Sequence, residues 1–175
     1  LGLYEQAYQV VDYIDKRWPQ AHEENPDFLR LAGEVEFRLG LYDEAKDDYW
    51  TYYNMNPKAD RSDVVMARLG DTYLELGKTK AAKAMYQRAI RDYEGMDGAL
   101  IAKMRLAEEG IYDEPAFLDM VTVFDRPYNK QPLDVYTEIV DEHPDSALAP
   151  IAQLKLAMWY AYNKKYPDAL SAAQD

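Results

Sequence analysis

The chain has 175 residues, with 20 lysines and arginines against 32 aspartates and glutamates, which gives a net charge of −12. This excess of acid argues against nucleic acid and anionic membrane surfaces as partners, because both attract basic proteins, and it leaves protein partners open. The absence of cysteine excludes disulfides, thiolate nucleophiles and cysteine-ligated metals. The longest apolar run, residues 156–162, is shorter than the roughly 20 residues that span a bilayer, so we expect no direct membrane insertion.

Related short segments recur along the chain, and their period indicates a repeat fold. Residues 1–7 (LGLYEQA) return at 39–45 (LGLYDEA) and, more distantly, at 76–82 (LGKTKAA), at offsets of 38 and 37 residues. A weaker echo is 165–169 (KYPDA). Periods of 20 to 50 residues are typical of stacked repeats. The chain opens within such a motif, and we expect it to be a fragment of a longer array.

Each repeat is predicted to be a helical hairpin. In residues 66–89, Gly70 lies where two helix axes approach, Gly77 ends the first helix in a left-handed turn, and Tyr86 fills the space beside the small residues. A proline such as Pro57 closes a repeat because it cannot continue a helix. The same pattern predicts hairpins over 28–57 and 151–175. Tyrosines predicted in the core are Tyr49, Tyr73, Tyr86, Tyr136 and Tyr160.

An insertion interrupts one hairpin at about 110–131 and adds about 13 residues relative to the other repeats. The first helix of this hairpin is predicted at about 99–109 and the second from Pro132. Between them lies an apolar cluster, 117–124, which must be buried because a long structureless loop is unusual in a compact domain. Two alternatives stay open: the insertion packs on its own array with a short helix at about 114–120, or it binds a partner.

One hairpin resembles the tetratricopeptide repeat closely. The matching residues are Met66, Leu69, Gly70, Tyr73, Gly77, Ala82, Tyr86 and Ala89. The chain departs from the family pattern at Glu94, where a proline is usual, and at Glu36, where a tyrosine is usual. The resemblance covers nearly the whole chain. It implies an all-α fold, a right-handed α-α superhelix (a solenoid) of about eight stacked antiparallel helices, in a single array over 1–175.

The links after the closing prolines are longer than the family's usual ones, as at 144–150. In this they resemble bacterial envelope members of the superfamily, the outer-membrane assembly lipoprotein and the Tol-Pal coordinator. This narrower resemblance implies a periplasmic or outer-membrane-associated protein, with a cytoplasmic location as the alternative.

No catalytic motif is present: the sequence has no glycine-rich phosphate loop, no His-Glu-x-x-His and no Gly-x-Ser-x-Gly. His22 precedes Glu23 and Glu24, but no second histidine is near in sequence, so this group is a poor metal candidate. His143 is interpreted as a helix C-terminal residue, where positive charge is favoured. We predict no enzyme activity, no cofactor and no metal site.

The first helices of stacked hairpins line the concave face, which such folds use for binding. One position on these helices is occupied by three acids in register and then by a methionine, which predicts a negative stripe that becomes apolar towards the C-terminus. The alternative is that the acids are ordinary solvated surface. The predicted groove consists of Arg30, Glu34, Phe37, Asp71, Leu74, Met104, Glu108, Met158 and Tyr162.

These patterns predict a non-catalytic scaffold or adaptor that binds a protein or peptide with basic and apolar side chains on the concave face. Self-association through the ends of the array is a further expectation. The alternative function is a helical accessory domain of a cell-envelope enzyme that acts on peptidoglycan.

Overall fold

The structure is a computed structural model that describes residues 2–126 and 131–174, and it is all-α in these ranges, with no strand. The all-α, tetratricopeptide-like prediction is confirmed. The helices are α1 (Gly2–Arg17), α2 (Ala21–Glu24), α3 (Asp27–Arg38), α4 (Tyr42–Met55), α5 (Ser62–Glu75), α6 (Thr79–Asp92), α7 (Asp97–Glu108), α8 (Phe117–Phe124), α9 (Gln131–Glu142), α10 (Ala149–Tyr162) and α11 (Tyr166–Ala172).

The described residues thus form eleven helices rather than about eight. Nine of them are the expected ones: a leading helix and four pairs. The other two lie in connections: α2 is a single turn in the link after α1, and α8 lies in the insertion. The four residues of α2 give too weak a periodicity to be counted from the sequence, whereas α8 corresponds to the short helix predicted at about 114–120.

Contacts divide the chain into two compact units, Leu1–Ala89 (unit 1) and Ile90–Asp175 (unit 2). Unit 1 has a core of side chains from its hairpins, including Leu29, Ala45, Tyr49, Met66, Leu69, Ala82 and Tyr86. Unit 2 has its own core, including Leu100, Met104, Met120, Val123, Tyr136, Ile139 and Leu156. The handedness of the superhelix and the single continuous array stay predictions.

Three hairpins turn in the same way. The second residue after the first helix is left-handed at Gly40, Gly77 and Lys164, with φ of +79°, +71° and +59°. The next amide then donates to the carbonyl five residues back, as Lys78 N does to Tyr73 O at 2.8 Å. This bond satisfies a carbonyl at the helix end, which is the role of a left-handed cap. The predicted turn at Gly77 is therefore confirmed.

The core tyrosines were mostly predicted correctly. Tyr49, Tyr86 and Tyr136 are buried, whereas Tyr73 and Tyr160 are only half-buried. The Tyr73 hydroxyl accepts a hydrogen bond from the Trp50 indole nitrogen at 3.0 Å. A tyrosine in this position packs its ring while its hydroxyl stays near the rim of the core.

The insertion contains one helix, α8, which begins at Phe117 instead of about residue 114. Ala116 is extended, with φ −90° and ψ 141°, so the helix cannot begin before it. The flanking helices α7 and α9 agree with the predicted positions within two residues. Residues 127–130 of the predicted insertion lie outside the described residues.

Candidate functional site

A carboxylate on the first helix of three hairpins accepts a hydrogen bond from a tyrosine hydroxyl on the second helix. We call these the acid–tyrosine pairs. Their acids are the three that the sequence places in register. The pairs are Tyr49 to Glu34 at 3.3 Å, Tyr86 to Asp71 at 2.7 Å and Tyr136 to Glu108 at 2.6 Å.

A small residue before the acid lets the tyrosine ring lie against the first helix. A Cβ atom added to Gly70 would lie 2.3 Å from Cε1 of Tyr86, and one added to Gly33 would lie 2.8 Å from Cε1 of Tyr49. No real Cβ approaches an aromatic carbon so closely. Glycine at these positions therefore sets the distance between the two helices, and with it the reach of the hydroxyl to the acid.

In unit 1 the acids are paired with arginines, Glu34 at a half-buried surface and Asp71 in a fully buried position. Glu34 accepts a hydrogen bond from Arg38 Nε at 3.0 Å and forms an ion pair with Arg68 Nε at 3.2 Å. Arg68 also donates through Nη1 to Asp71 Oδ2 at 2.9 Å. Its guanidinium carbon lies 5.8 Å from the centre of the Phe37 ring. Arg68 thus joins α3 to α5 across two acids and an aromatic ring.

In unit 2 the corresponding acid is completely buried. Glu108 Oε1 accepts a hydrogen bond from Lys155 Nζ at 2.6 Å, and both side chains are 0% exposed. Burial lowers the pKa of Lys155, and Glu108 opposes that shift. Burial raises the pKa of Tyr136, with a further increase from the Glu108 charge. A desolvated pair of this kind is costly to break, because the remaining charge has no water around it.

The expectation of an exposed negative stripe is wrong at two of its three acids. Asp71 and Glu108 are 0% exposed, and Met104 is buried with them. Only Glu34 is half-exposed, and its charge is balanced by arginines. Asp71 and Glu108 are bonded to tyrosines and cations inside the fold, so these two acids do not reach solvent. The remaining predicted groove residues are half-buried: Arg30, Phe37, Leu74, Met158 and Tyr162.

Sequence reasoning missed the partners of the acids. A tyrosine follows the acid by 15 residues in two hairpins and by 28 in the interrupted one, a difference equal to the 13 inserted residues. A cation likewise follows Glu34 by 34 residues, at Arg68, and Glu108 by 47, at Lys155. The sequence therefore contained a usable signal: the same residue types recur at the same spacing once the 13 inserted residues are subtracted, which indicates contact between helices.

Glu36 is a buried acid without a cation. It is 6% exposed, and its Oε2 has no hydrogen-bond partner among the described residues. Burial raises the pKa of Glu36 to about 8, with further increases from Asp48, Glu44 and other nearby acids. The pKa of Asp48 is raised to about 6, also mainly by burial. Unit 1 therefore contains a cluster of acids around the buried Glu36.

One group of side chains has ligand atoms close enough to share a cation. Glu138, Glu142 and His143 have ligand atoms within 4.8 Å of one another, at the end of α9. The histidine that the sequence analysis weighed, His22, is not in this group. Glu138 is already paired with Lys103, so one of the three ligands of this group is engaged by a cation.

Within the described ranges, no helix combines the length and the apolarity needed to cross a membrane.

Comparison with known proteins identifies one repeat. Residues 65–91, which cover most of α5 and α6, match the family described as the tetratricopeptide repeat. No curated protein matches the chain. The narrower resemblance to bacterial envelope proteins has no support from these comparisons. Repeats of this family generally mediate protein–protein interaction and are typically non-catalytic. The chain therefore contains a repeat of the tetratricopeptide superfamily, set among helical hairpins of the same design.

Proposed function

We propose that the chain is a non-catalytic scaffold that binds a segment of a protein partner on the first helices of unit 1. We define the unit 1 face as Arg30, Glu34, Phe37, Arg68 and Leu74. The observation that supports this proposal most is the position of Arg68, held between two acids and beside the Phe37 ring. Side chains fixed in this way lose little freedom on binding, which favours affinity.

The charges of the unit 1 face change the expected partner. Asp71 is buried, Glu34 is paired with arginines, and Arg30 donates to Asp27 at 2.6 Å. The face is therefore balanced in charge, and the basic partner segment predicted from the sequence loses its basis. We propose instead a segment whose apolar side chains contact Phe37 and Leu74, with an acceptor for Arg30. Its binding will depend weakly on salt, because few net charges are neutralised.

A paired-variant capture experiment tests this function. The test variant is Arg30→Glu with Leu74→Glu, at two half-buried positions of the unit 1 face. The control is Lys83→Glu with Met55→Glu, which makes the same charge change at exposed positions of second helices. Both chains must melt as cooperatively as the unmodified one by circular dichroism. Proteins retained from a native lysate are then quantified by mass spectrometry.

We expect the unmodified and control chains to retain at least one protein equally. The test variant should retain at least ten times less of that protein. Equal retention of every protein by all three chains contradicts the unit 1 face as a binding surface. Substitution of Asp71 or Glu108 cannot serve in this test, because both are buried and their loss would disturb folding.

The compartment and self-association stay proposals. Exposed apolar side chains on α1, with Val10 56% and Tyr13 59% exposed, support association with another copy. Sedimentation velocity across a hundredfold range of concentration tests self-association: the sedimentation coefficient rises with concentration if the chain self-associates, and a constant value opposes it.

Cell fractionation of the native protein tests the envelope location.

A further inference from the structure

Helix α8 of the insertion lies on the face of α10 that bears Tyr162, a predicted groove residue. The ring centroids of Phe124 and Tyr162 are 5.6 Å apart, and the Tyr162 hydroxyl donates a hydrogen bond to Asp125. On the same side of α8, Met120 and Val123 are 0% exposed. The insertion thus occupies, within the chain itself, a surface that the sequence assigned to a partner.

A second contact joins Arg126, two residues after α8, to the end of α7. Arg126 donates through Nη1 to the main-chain oxygen of Glu108 at 2.6 Å and forms an ion pair with Glu109 at 3.2 Å. The last carbonyls of a helix favour a cation, since they have no partner within the helix. The docked segment therefore has an apolar face, an acceptor at Asp125 and a cation at Arg126, in that order along the chain.

The contacts of α8 are fewer and more exposed than those of its neighbours. It has only eight residues, and a helix of that length is not stable by itself in water. At its start Phe117 is 42% and Leu118 81% exposed. A polar contact of the segment after it also lies at the surface, as Glu109, the ion-pair partner of Arg126, is 62% exposed. Segments with few buried side chains open before the core does.

We propose that α8 is a displaceable occupant of the Tyr162 face of α10, and that a short amphipathic helix of a partner protein replaces it. The pattern of α8 defines that partner: apolar side chains at positions i, i+3 and i+4, followed by an acid and a base. The inference rests on the proposed function for the presence of a partner. The opening of α8 and the docking of its own sequence can be measured without a partner. The proposal for α8 and the proposal for the unit 1 face can therefore fail separately.

Hydrogen exchange on the unmodified chain measures the opening of α8. The amides of residues 120–125 are expected to exchange at least a hundredfold faster than the buried amides of α10, because α8 opens while unit 2 stays folded. Equal rates for the two helices would mean that α8 opens only when unit 2 unfolds, and this would overturn the proposal.

Docking is tested with a synthetic peptide of residues 115–126 (PAFLDMVTVFDR) added to full-length chains. Val123→Asp in the chain removes α8 from its site and leaves the α10 face intact. The control is Thr122→Asp, at the exposed neighbouring position. We expect the labelled peptide to bind the Val123→Asp chain at least ten times more tightly than the unmodified or control chains. A peptide with its own Val123→Asp change should not bind.

Two results would overturn the proposal. One is a Val123→Asp chain that retains its helical circular-dichroism signal but does not bind the peptide, because the vacated face would then not be a docking site. The other is a Val123→Asp chain that loses most of its helix, because α8 would then be an integral part of the core of unit 2.

Discussion

Two acids at the same position of the repeat have opposite environments, one in each unit. Glu34 lies at a half-exposed surface with two arginines, whereas Glu108 is 0% exposed with one lysine. Both accept a hydrogen bond from the tyrosine of the second helix. The same local design therefore places Glu34 at a surface and Glu108 in a buried bond, and it also buries Asp71 within unit 1. The comparison shows that register in the sequence identifies an interaction but not its exposure.

The buried pair offers the largest expected effect. Lys155→Met leaves Glu108 without its cation in a desolvated site, and we expect a loss of about 3–5 kcal/mol in the free energy of unfolding. Urea denaturation at pH 7 measures it. Glu108→Leu combined with Lys155→Met removes both charges and is expected to recover most of the loss. A single Lys155→Met variant as stable as the unmodified chain would contradict the burial of this pair.

Glu36 is a third case, a buried acid that forms no ion pair with any described residue. Its pKa is raised to about 8, so the folded state holds a proton that the unfolded state has already released. This destabilises the fold progressively as pH rises from the ordinary glutamate pKa towards about 8. Glu36→Gln removes that cost and is expected to stabilise the chain by about 2–4 kcal/mol at pH 9, with little difference at pH 4.5.

Thermal and urea unfolding of the unmodified and Glu36→Gln chains across pH 4.5–9 tests whether the stability gain of Glu36→Gln grows with pH. Glu138→Gln, at a half-buried acid paired with Lys103, is the control and should show no such pH-dependent gain. A Glu36→Gln chain that is no more stable than the unmodified one at pH 9 would show that Glu36 is hydrated.

The glycines before two of the acids, Glu34 and Asp71, give an intermediate effect. Gly70→Ala would place its Cβ 2.3 Å from the Tyr86 ring, and we expect a loss of about 1–3 kcal/mol, as for other overpacked cores. Gly33→Ala, with 2.8 Å to Tyr49, should cost less. Gly2→Ala is the control, since no atom lies within 4 Å of its added Cβ among the described residues. Equal melting temperatures for Gly70→Ala and Gly2→Ala would contradict the close helix approach.

The exposed pair gives the smallest effect. Arg38→Ala removes one partner of Glu34, and because both side chains are about a third exposed, we expect a loss below about 1 kcal/mol. The loss should shrink further in 0.5 M salt, where surface charges are screened. Urea denaturation at low and high salt measures it. A loss of unfolding free energy as large as that of Lys155→Met would contradict the distinction between the exposed and the buried pair.

The hairpins were predictable because their signals are local. Gly77 after the first helix of one hairpin, Pro57 after the second helix of the preceding one, and a tyrosine such as Tyr86 beside small residues identify a turn, an end and a core position from residues close in sequence. The helix α2 was not predictable, because its four residues do not show two full periods of an apolar pattern. The helix α8 was predicted as a short helix, but with a start near residue 114 instead of Phe117.

The site was predictable as a position but not as an environment. The register of Glu34, Asp71 and Glu108 was visible in the sequence, yet exposure is decided by side chains from other helices, such as Tyr136 and Lys155. Those partners are many residues away, and the insertion changes their spacing in unit 2 from that in unit 1. An acid in an acidic chain has solvent as its usual surroundings, so burial of two of the three acids could be found only in three dimensions.

The acids in register form internal bonds of the fold, which are strong where buried and weak where exposed. Two double-mutant cycles measured by urea unfolding compare them: Glu108→Gln with Lys155→Met, and Glu34→Gln with Arg38→Met. We expect a coupling free energy of about 2–3 kcal/mol for the first pair and below about 0.5 kcal/mol for the second. Equal coupling in the two cycles would contradict this expectation.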